Sequence, residues 1–195
     1  KLLPKHGILD YEFEDPKEIL FVSDSPKMFE GDYTAFRPNE YKTIMMELRK
    51  HGISRDRVGF TSSVKCPNMN MDVMGAPARK KCKAHLDDTI RQYRPSLVFA
   101  CGKLATTLFY GRTKSDGKVR GVVNRMKLED DEGFEFDLVS IIHPWQVVAE
   151  PKNAFLFATD IENAINSKIL KIDKKCPIDF FACMSEEDLL PHRDL

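Results

Sequence analysis

Two almost unbroken apolar runs, Ile19-Leu20-Phe21-Val22-Ser23 and Leu97-Val98-Phe99-Ala100-Cys101, constrain this chain more than any other feature. A strand with one wet face alternates polar and apolar residues, so continuous β-favouring runs predict strands covered on both faces. Val58 to Ser62 and Phe136 to Ile142 read as two further strands of the same kind. Helical spacing separates them. Tyr41, Ile44, Met45 and Leu48 share one stripe, with His51-Gly52 as its stop. Cys82, Leu86, Ile90 and Tyr93 lie on a second helix within Ala78 to Tyr93, ended by Arg94-Pro95. Gly102 opens a short helix running through Leu108, and Phe155, Ala158, Ile161, Ile165 and Ile169 mark a closing one. Strands alternating with helices predict a three-layer α/β/α sandwich around a central, mostly parallel, four-stranded sheet. The acidic run Glu129-Asp130-Asp131-Glu132-Gly133 reads as a solvated hairpin turn.

A chain of 195 residues favours one domain. The patterned part covers residues 1–170, and residues 171–195 form a looser C-terminal appendage. The chain begins at Lys1, which leads us to expect a domain processed or cut from a longer polypeptide. Lys plus Arg and Asp plus Glu both number 30, so a nucleic-acid face would have to arise from local segregation of charge. No run approaches the roughly 20 apolar residues of a membrane helix, and no signal-peptide pattern opens the chain. Five cysteines are an odd count without a secreted-scaffold spacing, which favours a reducing cytoplasm.

The chemistry-bearing residues cluster at strand ends, where open α/β sheets bind ligands. His143-Pro144 leaves the last strand, and proline restricts the backbone that carries the imidazole. Ser23-Asp24-Ser25-Pro26 leaves the first. An acid there can orient a water as general base, although Asp and Ser also start ordinary turns. Cys66-Pro67 follows the second strand, and Cys82 comes after fifteen intervening residues. Two thiolates need two more ligands to hold a metal or cluster. Cys101 lies within a strand and reads as core. Cys176 and Cys183 in the tail remain, either as those ligands or as idle thiols. Arg79, Lys80, Lys81, Lys83 and His85 make the densest basic patch, a solvated helix face or a set of phosphate contacts.

Taken in order, these pieces resemble the uracil-DNA glycosylase superfamily, specifically its family-four, iron–sulfur branch, from about Ile19 to Ile165. The segment from Leu48 to Asp56 and on through Val64-Lys65-Cys66 looks like the family's helix, glycine turn and Thr-Asn-Val-Val-Lys-Cys strand. Arg94-Pro95 to Ala105 looks like its Arg-Pro strand and following turn. Arg120-Gly121 and His143-Pro144 match two further pairs. The resemblance implies an enzyme that flips uracil out of DNA and hydrolyses its bond to the sugar. It implies His143 as the donor to a uracil carbonyl oxygen and Asp24, where the family has glutamate, as the carboxylate orienting water. Ser25, Phe36 and Ser62 fall at substrate-contacting positions, with Tyr33 as a second choice for the stacking ring.

Departures accompany the match. Asp24 is one methylene shorter than glutamate, so its water would sit closer to the backbone. Ser62 replaces an asparagine that reads the uracil edge with two hydrogen bonds, a loss of roughly 1–3 kcal/mol of discrimination. The family draws two cluster cysteines from before the first strand, where this chain has none. The resemblance therefore implies a 4Fe-4S cluster held by Cys66 and Cys82, with Cys176 and Cys183 as the expected replacements. Arg79, Lys80, Lys81 and Lys83 become expected DNA contacts. The competing reading is a glycosylase-fold module, fused to a DNA polymerase or other replication protein of phage type, that binds DNA without excising a base. An unrelated nucleotide-binding protein is disfavoured, because no Gly-rich phosphate loop follows the first strand.

Overall fold

The computed structural model describes residues 17–65, 76–111, 119–128 and 134–167. Strand β1 (Ile19–Ser23) leads through a hairpin of β2 (Lys27–Phe29) and β3 (Asp32–Thr34) into helix α1 (Pro38–Lys50). There follow β4 (Val58–Ser62), α2 (Ala76–Tyr93), β5 (Leu97–Cys101), α3 (Lys103–Tyr110), β6 (Val123–Lys127) and β7 (Glu135–Ile141). Helices α4 (Pro144–Ala149) and α5 (Ala154–Ser167) close the described chain. The predicted strands and long helices all form, because their apolar periods match the layers they enter. Glu40 caps α1 by accepting the Arg37 N–H at 2.9 Å, and Gly52, with φ +71°, stands just past its end.

The main sheet runs β4-β1-β5-β7-β6. Its first four strands are parallel, and β6 is antiparallel to β7. One face packs Ile19, Phe21, Phe60, Phe99, Val139 and Ile141 against Ile44 and Leu48 of α1 and Phe157 and Ile161 of α5. The other packs Leu20, Val22, Val98, Ala100 and Leu138 against Leu86 and Ile90 of α2 and Ala105 and Phe109 of α3. Phe21 stacks on both Phe60 and Phe99, with centroids 5.8 and 4.6 Å away.

The expected four-stranded sheet is corrected to five. Strand β6 reads Val-Asn-Arg-Met-Lys, half exposed at the sheet edge, and carries no apolar run. Its backbone ladder to β7 is accompanied by cross-strand charge pairs. Arg125 pairs with Glu135 and Asp137, and Lys127 with Glu135, in the register Arg125↔Asp137 and Lys127↔Glu135. Strands β6 and β7 pair antiparallel, and the run 129–133 expected as a turn between them lies outside the described residues.

Topology creates a crevice. The connection leaving β1 enters α1 on one face, whereas the connection leaving the adjacent β5 enters α3 on the other. Between such strands the chain parts, and ligands in open α/β sheets bind at that switch point.

Candidate active site

A cleft of about 430 Å³ opens at the carboxyl edge of the sheet, lined by Asp24, Gly102, Lys103, Arg120, His143, Trp145 and their neighbours. Asp24 and His143, on separate strand ends 119 residues apart in sequence, thus share one cavity.

Asp24 continues β1 on the α3 face. Its Oδ1 accepts the Ala105 N–H at 2.9 Å. The N-cap of α3 is Gly102, which has no side chain to satisfy the helix's first donors, so an acid 81 residues away does so. The positive end of the helix dipole also favours an anion there. The backbone around Asp24 is pinned to the strand beside it. The Ser63 N–H donates to the Ser23 carbonyl at 2.8 Å, and the Ser63 hydroxyl to the Asp24 carbonyl at 2.5 Å.

Gly102 is required twice over. Its φ is +94°, and a Cβ placed on it would stand 2.6 Å from Asp24 Oδ2. Gly102→Ala is therefore expected to strain the backbone by about 1–3 kcal/mol and to push the carboxylate from its seat. A melting temperature several degrees lower, with impaired function, is the expected outcome. A variant that melts like the parent would contradict this account.

His143 sits two residues past the end of β7, at the N-cap of α4, with Pro144 at the first helical position. Its Nδ1 accepts the Trp145 N–H at 3.2 Å, which assigns the ring proton of the neutral form to Nε2. Nε2 is buried and has no hydrogen-bond partner among the described residues. Burial, reinforced by the positive charges of Lys27 and Arg37, lowers the imidazole pKa to about 3. The ring is consequently a neutral N–H donor throughout the physiological range. The Phe36 ring lies against it at 5.7 Å and reaches Phe60 at 5.8 Å on its other side.

The other expected residues fall as follows. Ser25 and Ser62 are buried at 2% and 1% exposure; Lys27 Nζ donates to Ser25 Oγ at 3.3 Å, and Ser62 Oγ has no partner among the described residues. Tyr33 is half-buried on β3. Lys80 and Lys81 are exposed on α2, whereas Lys83 pairs with Asp87 and lies over the Phe109 ring. Cys101 is core, as expected, and burial pushes its thiol well above the ordinary value. Cys82 is buried with Val64 of the β4 end and Leu104 and Leu108 of α3. Cys66, Cys176, Cys183 and the Arg79 side chain lie outside the described residues. Among the described residues no three His, Cys, Asp or Glu side chains group as metal ligands.

Several cleft-lining side chains carried no functional signal in the sequence. Trp145, next to the His143-Pro144 pair, is one, and Lys103 was matched only as part of the turn after β5. Arg120 was visible only as half of an Arg-Gly pair. Its Nε stands 3.4 Å from Asp160 Oδ2, a long ion pair without hydrogen-bond geometry. Gly121, with φ +69°, leaves room for Asp160 Oδ1, which a Cβ would meet at 2.7 Å. Burial raises the Asp160 pKa, and Arg120 opposes that rise.

A three-layer α/β protein with an acid and a neutral imidazole at the carboxyl edge of its sheet is the class these features define. Residues 8–166 match the family description Uracil DNA glycosylase superfamily, and the chain belongs to that superfamily. No curated protein matches the chain. Membership implies a DNA-glycosylase-like role with DNA as the partner. No helix among the described residues is long and apolar enough to cross a membrane.

Proposed function

We propose that this domain hydrolyses the N-glycosidic bond of a uracil extruded from DNA. The observation that carries this reading is the shared cleft lined by both Asp24 and a neutral His143, whose Nε2 has no partner among the described residues. Water, oriented by the Asp24 carboxylate, adds to the sugar anomeric carbon as the bond to uracil breaks. The bonding electrons leave with the base, Asp24 takes the proton from water, and His143 Nε2–H stabilises the charge reaching the uracil oxygen. A neutral donor suits an anionic leaving group without requiring a protonated imidazole. Phe36 supports the histidine ring from beside it and Ser25 borders the acid. Lys80, Lys81, Lys83 and Arg79 supply phosphate contacts.

The test is excision from labelled single-stranded and U:G duplex oligonucleotides, read as strand cleavage at the abasic sites formed. Binding without excision would favour the second reading, a DNA-binding module of a larger replication polypeptide. Ser62 in place of the base-reading asparagine is the observation on that side.

The iron–sulfur assignment belongs to the same proposal. The donor chemistry fits, since thiolates are the ligands of such clusters. Cys82 packs beside Val64, and in the sequence Cys66 follows Val64 by two residues. Cys66, Cys82, Cys176 and Cys183 would hold the cluster, which would anchor chain rather than enter a hydrolysis that moves no net electrons. Iron and acid-labile sulfide are expected in the purified protein and lost in Cys82→Ser. Full iron in a Cys176→Ser/Cys183→Ser double variant would remove the tail from the ligand set.

A further inference from the structure

Buried polar groups in native proteins are nearly always paired, and an unpaired hydroxyl in the interior is destabilising by roughly 1–3 kcal/mol. Three buried polar atoms without a described partner gather at one edge here: Ser23 Oγ, Ser62 Oγ and His143 Nε2. Ser23 and Ser62 are 0% and 1% exposed, and His143 is 2% exposed.

Strand geometry puts them on one face. Ile19 and Phe21 of β1, and Val58 and Phe60 of β4, belong to the core cluster shared with α1 and α5. Side chains alternate along a strand, so Ser23 and Ser62 point to that same face. They are also register partners, the last pair of the β1–β4 ladder. Val139 and Ile141 of β7 face this way too, and the Phe36 ring links Phe60 to His143 across it. Two hydroxyls therefore end adjacent strands on this face, and the Phe36 ring of the same core cluster also contacts the imidazole.

We infer that Ser23 and Ser62 together form the reader of the base edge, with Ser23 supplying the second hydrogen bond that Ser62 alone cannot make. Neighbouring strands stand about 4.8 Å apart. Two hydroxyls at that spacing suit adjacent groups on a six-membered ring, whose hydrogen bonds diverge outward. Each hydroxyl donates or accepts, so the pair complements the N–H and C=O of a uracil edge. The inference rests on the proposed glycosylase reading and adds to it a side chain with no hydrogen-bond partner among the described residues. The base would then supply the partners that the two hydroxyls lack among the described residues.

Ser23→Ala, Ser62→Ala and the double variant test this, measured for excision kcat/KM, for melting temperature and for binding of free uracil by titration calorimetry. Each single substitution is expected to lower kcat/KM by roughly 5- to 100-fold. It should leave the melting temperature unchanged or raised, because an unpaired buried hydroxyl is removed. Ser23→Ala with wild-type kcat/KM and uracil affinity would overturn the inference. So would a loss of activity that follows a lowered melting temperature, since that marks a structural serine. Wild-type protein that binds uracil more tightly than Ser23→Ala but excises nothing would uphold the reader and reject the glycosylase. Wild-type protein that neither binds nor excises uracil would reject both.

Discussion

Asp24→Asn is expected to excise uracil about 10²- to 10⁴-fold more slowly than the parent while melting at nearly the same temperature. The two effects separate because the carboxylate has two tasks. Its Oδ1 accepts the Ala105 N–H and so finishes the first turn of α3. An asparagine oxygen accepts the same hydrogen bond and gives up only the small favourable term of a negative charge at the helix N-terminus. The charge is what orients water and offsets the positive charge that grows on the sugar, an effect of general-base size. Asp24→Ala removes both. It should match the asparagine variant in activity and lose about a further 1 kcal/mol of stability through the uncapped helix. Single-turnover excision paired with thermal melting measures each part. An asparagine variant with parental rates would end the assignment of Asp24 as the catalytic acid–base group.

His143→Ala is expected to slow excision by about 10²- to 10³-fold, the range for deleting a donor aimed at developing negative charge. The pH dependence is more diagnostic. Because the native imidazole stays neutral down to about pH 3, the excision rate should show no histidine limb between pH 5 and 8. Stability should show one. The unfolded chain binds a proton near pH 6.5 that the native protein refuses until about pH 3. The histidine's contribution is therefore fully present above pH 6.5 and is lost as pH falls toward 3. Glu40 and Asp160, raised by burial, act in the opposite sense, but they are common to parent and variant. Denaturant melts across this window should show parental stability falling more steeply with acid than that of His143→Ala. Parallel curves would mean that the ring is solvated in the native state.

Much of this architecture was legible from the chain. Ile19 to Ser23 and Leu97 to Cys101 had to be interior strands, because no half-wet strand tolerates such runs. Asp24 and His143 stood out because each is the polar residue where a buried strand must end. The fifth strand was not counted from the sequence, because β6 is a half-exposed edge strand whose charged Arg125 and Lys127 interrupt any apolar run. The small β2–β3 hairpin and the single turn and a half of α4 also escaped, being too short to show a period.

By itself the sequence determined the layers, the sheet direction and the two strand ends that carry an acid and an imidazole. All of these follow from local patterns of burial. Tertiary structure alone decided how those ends are used. It set Asp24 on the first turn of α3, required glycine at position 102, and put beside Phe36 a His143 Nε2 that has no partner among the described residues. It also brought Ser23 level with Ser62. Those facts depend on strand register and on contacts between residues tens of positions apart. A one-dimensional period reports which face a side chain occupies and says nothing of which neighbour it meets there.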